Sequence, residues 1–135
     1  MKLKVCGLSS SLEVKTCVSL NINYCGFILN YPESHRFITL DKAKDLTNIK
    51  KKNTKYVGVL VKPSEEELIQ FSELDFDYFQ LYGNFSSDEL IKIKKISQKK
   101  IISAIQVKKK NDINRYKLIE DISDIILWDS SGYEE

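Results

Sequence analysis

A few side chains in this 135-residue chain have the chemistry of a proton-transfer site. Cys6 ends an apolar run and is followed by Gly7 and the polar "LSSS" (8–11), the signature of a strand that opens onto a crowded rim. A thiol there can act as a nucleophile or general base. Asp129 stands directly after the apolar "IILW" (125–128), where a carboxylate can act as an acid. A base and an acid facing one mouth make an acid–base pair. Arg36, in "NYPESHR" (30–36), is placed to clamp a carboxylate. Tyr82 and Gly83, closing "QLYG" (80–83), offer a hydroxyl and a close backbone approach. Each has a plainer reading: core packing for Cys6 and Tyr82, turn capping within "DSSG" for Asp129, a solvated surface for Arg36.

Which reading holds depends on the elements that carry these residues. Short β-branched runs recur as "KLKVC" (2–6), "YCGFIL" (24–29), "YVGVLV" (56–61), "DYFQL" (77–81), "IISAIQV" (101–107) and "DIILW" (124–128). Amphipathic stretches lie between them at 11–20, 39–51, 64–74, 86–98 and 111–119. Ser64 with Glu67 and Ser86 with Glu89 have capping-box spacing, and Thr39 can cap the second helix. The strands are nearly continuous apolar runs, as in parallel sheets covered by helices. The pattern predicts one α/β domain over 1–135 with six parallel strands in strict βα alternation. Two architectures fit: an open doubly wound sheet, or part of a (β/α)8 barrel. A complete barrel takes roughly 200–250 residues, so six units cannot close as eight. Either way, ligands belong at the C-terminal ends of the strands, where Cys6, Arg36, Tyr82 and Asp129 fall.

Composition narrows the classes. The formal net charge is +2, from 21 basic and 19 acidic residues, which gives no nucleic-acid signal. Arg36 and Arg115 are the only arginines. Three cysteines with no C-x-x-C, and one histidine, argue against a disulfide framework or a zinc site. Cys17 and Cys25 read as core. No apolar run reaches a membrane span and no signal peptide opens the chain, so a cytoplasmic protein is expected. The glycine signatures of nucleotide sites and the nucleophile elbow do not occur.

In order, "KVCGLS" (4–9), "CGFIL" (25–29), "SHRFIT" (34–39), "YVGVLV" (56–61), "FQLYG" (79–83), "ISAIQV" (102–107) and "ILWDS" (126–130) resemble the motifs of the phosphoribosylanthranilate isomerase family of tryptophan biosynthesis. The resemblance implies a partial TIM (β/α)8 barrel with about six parallel strands, strands seven and eight missing. It implies an Amadori rearrangement of N-(5-phosphoribosyl)anthranilate, with no metal or cofactor. By position, Cys6 would be the general base and Asp129 the general acid. Arg36 would hold the anthranilate carboxylate, with Gly7, Gln80 and Tyr82 also lining the substrate site. His35 replaces a usual proline, Tyr82 a usual histidine, and Gln106 a common basic residue. The family's G-G-T-G-type phosphate-binding segment and its last two strands would follow "SGYEE" (131–135). The expected partner is a small phosphosugar–anthranilate molecule, with no nucleic acid or membrane, and open sheet edges suggest a homo-oligomer. The competing expectation is a catalytically inactive relative that binds a ligand or assembles with itself.

Overall fold

The computed structural model describes residues 1–130. Six strands alternate with helices: β1 (Lys4–Val5), α1 (Ser11–Ser19), β2 (Tyr24–Ile28), α2 (Leu40–Thr47), β3 (Lys55–Val61), α3 (Glu65–Ser72), β4 (Tyr78–Tyr82), α4 (Ser87–Ser97), β5 (Lys100–Gln106), α5 (Tyr116–Ile119) and β6 (Ile125–Asp129). A 3-10 segment, Lys110–Arg115, leads into α5. The last expected helix is thus a 3-10 run with a single α-turn, held at its start by Asp112, which accepts from Lys108 N and Lys109 N at 2.9 and 2.8 Å. The turn expected over "DSSG" runs into 131–135, outside the described residues.

All pairings are parallel, in the order β1-β2-β3-β4-β5-β6. This order decides between the two expected architectures. A doubly wound sheet reverses direction at a switch point and places helices on both faces. Here every crossover steps the same way, and right-handed crossovers then put all helices on one face. The sheet is a wall of six barrel strands, with β1 and β6 at its edges.

The two faces separate by strand alternation. Outward, Cys25, Phe27, Tyr56, Leu60, Phe79, Leu81, Ile101 and Ile105 pack under Val14, Leu46, Leu68, Phe71, Leu90 and Ile93 of the helices. Phe27 meets Tyr56 edge-on at 5.5 Å. Inward, Ile28, Val59, Tyr82 and Ala104 form a second cluster, joined by Tyr31, Val61 and Leu127. The larger core lies between sheet and helices because only that face is covered.

Local chemistry fixes the helix starts. Capping boxes close α1 (Ser10, Glu13), α3 (Ser64, Glu67) and α4 (Ser86, Glu89), and the Thr39 side chain accepts from Lys42 N to start α2. At the opposite end of the sheet a second device repeats. Asn23, Asp77 and Asp124, each just before an even-numbered strand, accept the backbone N–H of Leu3, Tyr56 and Ile101 at 2.7, 2.8 and 2.8 Å. Each clamp ties an odd strand to its successor across the intervening helix. Lys51 pairs with Asp77 at 3.1 Å and Lys94 with Asp124 at 3.1 Å.

Candidate active site

The C-terminal rim of the wall carries two groups of side chains. The first surrounds the end of β1. Cys6 lies one residue beyond the strand and is exposed. The chain turns there: Gly7 N and Leu8 N both donate to Gly26 O, at 3.0 and 3.1 Å. Gly7 adopts φ +80, a conformation open to glycine. A Cβ on Gly26 would stand 2.8 Å from Cys6 Sγ and 3.2 Å from Lys4 Nζ, so the thiol and the ammonium are neighbours on the inner face.

Arg36 joins this group from the loop after β2. Its aliphatic stem crosses Gly7, with Cγ 3.1 Å from where a Gly7 Cβ would be. Nη1 donates to Gly7 O at 3.5 Å and lies 3.7 Å from Glu13 Oε2, while Nε donates to His35 Nε2 at 3.3 Å. Glu13 is held by its other oxygen, which accepts from Ser9 N and Ser10 N at 2.9 and 3.0 Å. The Ser9 N–H, chiefly, holds this carboxyl below the usual range. One glutamate therefore both caps α1 and faces the arginine. The pair is about half exposed, so it orients more than it stabilises.

The second group joins β4 to β6. Tyr82 is buried and donates its O–H to Asp129 Oδ2 at 2.8 Å. Gln80, 2% exposed, donates from Nε2 to the Tyr82 oxygen at 3.3 Å. Gln80 Oε1 is buried and has no hydrogen-bond partner among the described residues. Asp129 also closes the ladder, its carbonyl accepting from Val107 N at 2.7 Å.

Every expected site residue except Gln80, the middle residue of β4, falls at one end of the sheet. Cys6, Gly7 and Arg36 make one contact group, and Gln80, Tyr82 and Asp129 the other. Packing and hydrogen bonding coexist in Tyr82. Cys17 and Cys25 are buried, and burial, then the neighbouring Cys17, pushes the Cys25 thiol up to about 12. Sequence reasoning missed Glu13 and Lys4. The S-x-x-E of Ser10–Glu13 signalled the first, and the two-residue period from Cys6 the second. Among the described residues, no three His, Cys, Asp or Glu side chains gather where they could hold a metal ion. No helix among them is long and apolar enough to cross a membrane.

Known proteins resemble this chain in sequence and in fold. The family model described as N-(5'-phosphoribosyl)anthranilate (PRA) isomerase matches residues 3–133. The N-(5'-phosphoribosyl)anthranilate isomerase of Streptococcus gordonii is 32% identical over 130 residues, 96% of this chain and 61% of that protein. The same enzyme from a Sulfurihydrogenibium species is 28% identical over 128 residues, 93% of this chain and 60% of that protein. The crystal structure of phosphoribosyl anthranilate isomerase from Thermotoga maritima superposes with a TM-score of 0.80 at 24% identity, covering 100% of this chain and 64% of that one. A phosphoribosyl anthranilate isomerase crystallised with reduced 1-(o-carboxyphenylamino)-1-deoxyribulose 5-phosphate superposes at 0.79 with 24% identity, covering 96% of this chain and 64% of that one. The chain thus spans about 60% of the length of the curated relatives it matches. With a barrel wall in sequential order and a family match along nearly its whole length, this chain belongs to the phosphoribosylanthranilate isomerase family.

Proposed function

We propose that this chain carries the acid–base rim of a phosphoribosylanthranilate isomerase. One observation carries the reading: Cys6 and Asp129 both stand on the inner face at the C-terminal ends of their strands, Cys6 over Gly26 and Asp129 against Tyr82. Asp129 protonates the ribose ring oxygen as the C1–O bond breaks and the anthranilate nitrogen lone pair forms C1=N, giving the protonated imine. Cys6 removes the proton from C2, and electrons move into the C1–C2 bond to give the enolamine. Tautomerisation of the enolamine yields the ketone, 1-(2-carboxyphenylamino)-1-deoxyribulose 5-phosphate. Arg36 pairs with the anthranilate carboxylate, and Gly7, Gln80 and Tyr82 line the same mouth. The setting in keeping with this biosynthetic step is the cytoplasm.

A second reading is a non-catalytic module that binds a ligand or assembles with itself. It is favoured by β1 and β6 lying at the edges of the described sheet. An exposed parallel edge is a pairing surface.

The test is loss of phosphoribosylanthranilate fluorescence with the purified chain. Cys6→Ala and Asp129→Asn should each lower turnover by roughly 10²- to 10⁴-fold. Absence of turnover, or turnover that ignores both substitutions, would refute the isomerase reading. Sizing by light scattering tests self-assembly, and a monomer at high concentration counts against it.

A further inference from the structure

We infer that Gln80 and Tyr82 are positioning residues that hold the Asp129 carboxyl in one orientation. The inference deepens the isomerase reading and rests on it for its kinetic part. It is specific to this chain, because Tyr82 stands where the family resemblance has a histidine.

The direction of the hydrogen bonds carries the argument. A phenol has one proton. Tyr82 commits that proton to Asp129 Oδ2 at 2.8 Å, so its oxygen faces Gln80 only as an acceptor. Gln80 must then present its amide nitrogen, which it does at 3.3 Å. The consequence is visible at the other end of the amide. Gln80 Oε1 is left buried with no partner among the described residues, an arrangement that buried groups ordinarily avoid. A tyrosine serving only as packing would let the amide rotate and satisfy its oxygen. The stranded oxygen records a chain with a fixed sense, from the Gln80 N–H through the Tyr82 O–H to the Asp129 carboxyl.

Register makes the chain rigid. Gln80 pairs with Val59 and Ile102, and Tyr82 with Val61 and Ala104, so both side chains rise from paired strand backbone. Asp129 pairs with Gln106 on β5, which separates β4 from β6. The phenol therefore reaches across one strand to hold a carboxyl at the wall's edge. A donor supported in this way fixes the acid to within the small tolerance that proton transfer requires.

The test uses the full chain. Tyr82→Phe removes one oxygen and keeps the packing. It should lower kcat roughly ten- to hundred-fold with KM within about twofold. Tyr82→His, which restores a donor, should recover most of the loss. Tyr82→Phe added to Asp129→Asn should cost nothing further, because the donor acts through the acid. Gln80→Leu should reproduce a smaller part of the kcat loss.

A second readout is independent of turnover: the side-chain carboxyl carbon resonance of Asp129, assigned by its loss in Asp129→Asn. Tyr82→Phe should move it. An Asp129 resonance unchanged by Tyr82→Phe, or equal kinetic losses with and without the Asp129 carboxylate, overturns the positioning role. A resonance that moves in a chain without turnover supports the relay and refutes the isomerase reading alone.

Discussion

Cys6 sits over Gly26, its Sγ 2.8 Å from the place a β-carbon would occupy on that glycine. No real Cβ contact is so short, and the Cys6 Cα is only 3.4 Å from the same point. Gly26→Ala must therefore displace the thiol. Turnover should fall more than tenfold, with a stability loss of about 1–3 kcal/mol from overpacking. Thermal unfolding beside the fluorescence assay checks both. An alanine variant with full activity would show that the thiol's seat is unimportant.

The three thiols should differ sharply in reactivity. Cys6 is exposed, while Cys17 and Cys25 are buried and Cys25 is pushed up to about 12 by burial and by Cys17. A chromogenic disulfide reagent should label a single thiol rapidly at neutral pH, and the other two only after denaturation. Rapid labelling in Cys6→Ala would contradict this assignment.

The clamp carboxylates should dominate stability at the closed end. Asp124→Ala or Asp77→Ala removes a charge-assisted acceptor and strands a strand-start N–H. Each should cost about 2–3 kcal/mol in urea unfolding, and Asn23→Ala about 1 kcal/mol. The sign of the pH effect follows from Asp124. Burial alone would raise its carboxyl, but the Ile101 N–H and Lys94 outweigh burial and hold it below the ordinary 3.8. Its contribution is present above the unfolded value, and it is lost as pH falls through the lower folded value. Asp124→Asn should flatten the decline in stability below about pH 4. An equally steep acid limb in the variant would exclude Asp124 as its source.

Arg36 should matter for binding and little for folding. Arg36→Ala is expected to raise KM at least tenfold and change stability by less than about 0.5 kcal/mol, as a half-exposed surface pair implies. Gly7→Ala should be worse on both counts. It forces a side chain to φ +80 and sets its Cβ 3.1 Å from Arg36 Cγ. A Gly7→Ala chain as stable as the parent would contradict the turn's need for glycine.

The fold was legible where local chemistry decides it. Ser64–Glu67 and Ser86–Glu89 announced their helices in the right places, and apolar runs marked all six strands. Boundaries were less legible. The run 2–6 yields only two ladder residues, although β6, also at an edge, yields five. The second helix stops at Thr47, short of 51, once Asn48 caps it. The rim residues were legible as positions, but their contacts were not. Tyr82 and Asp129 are 47 residues apart, and their meeting depends on both sharing the inner face. The clamps left a fainter trace, an Asn or Asp before each even strand, that only the register explains.

Those clamps give the wall a grain. The three clamps run from β1 to β2, from β3 to β4 and from β5 to β6, each within a pair of βα units. The junctions between pairs are fastened differently, by side-chain donors to carbonyl oxygens: Thr54 Oγ1 donates to Ile22 O at 2.7 Å and Lys99 Nζ to Leu74 O at 3.0 Å. An insertion placed inside a pair would carry an even strand, and the residue before it, away from the odd strand whose N–H that residue accepts.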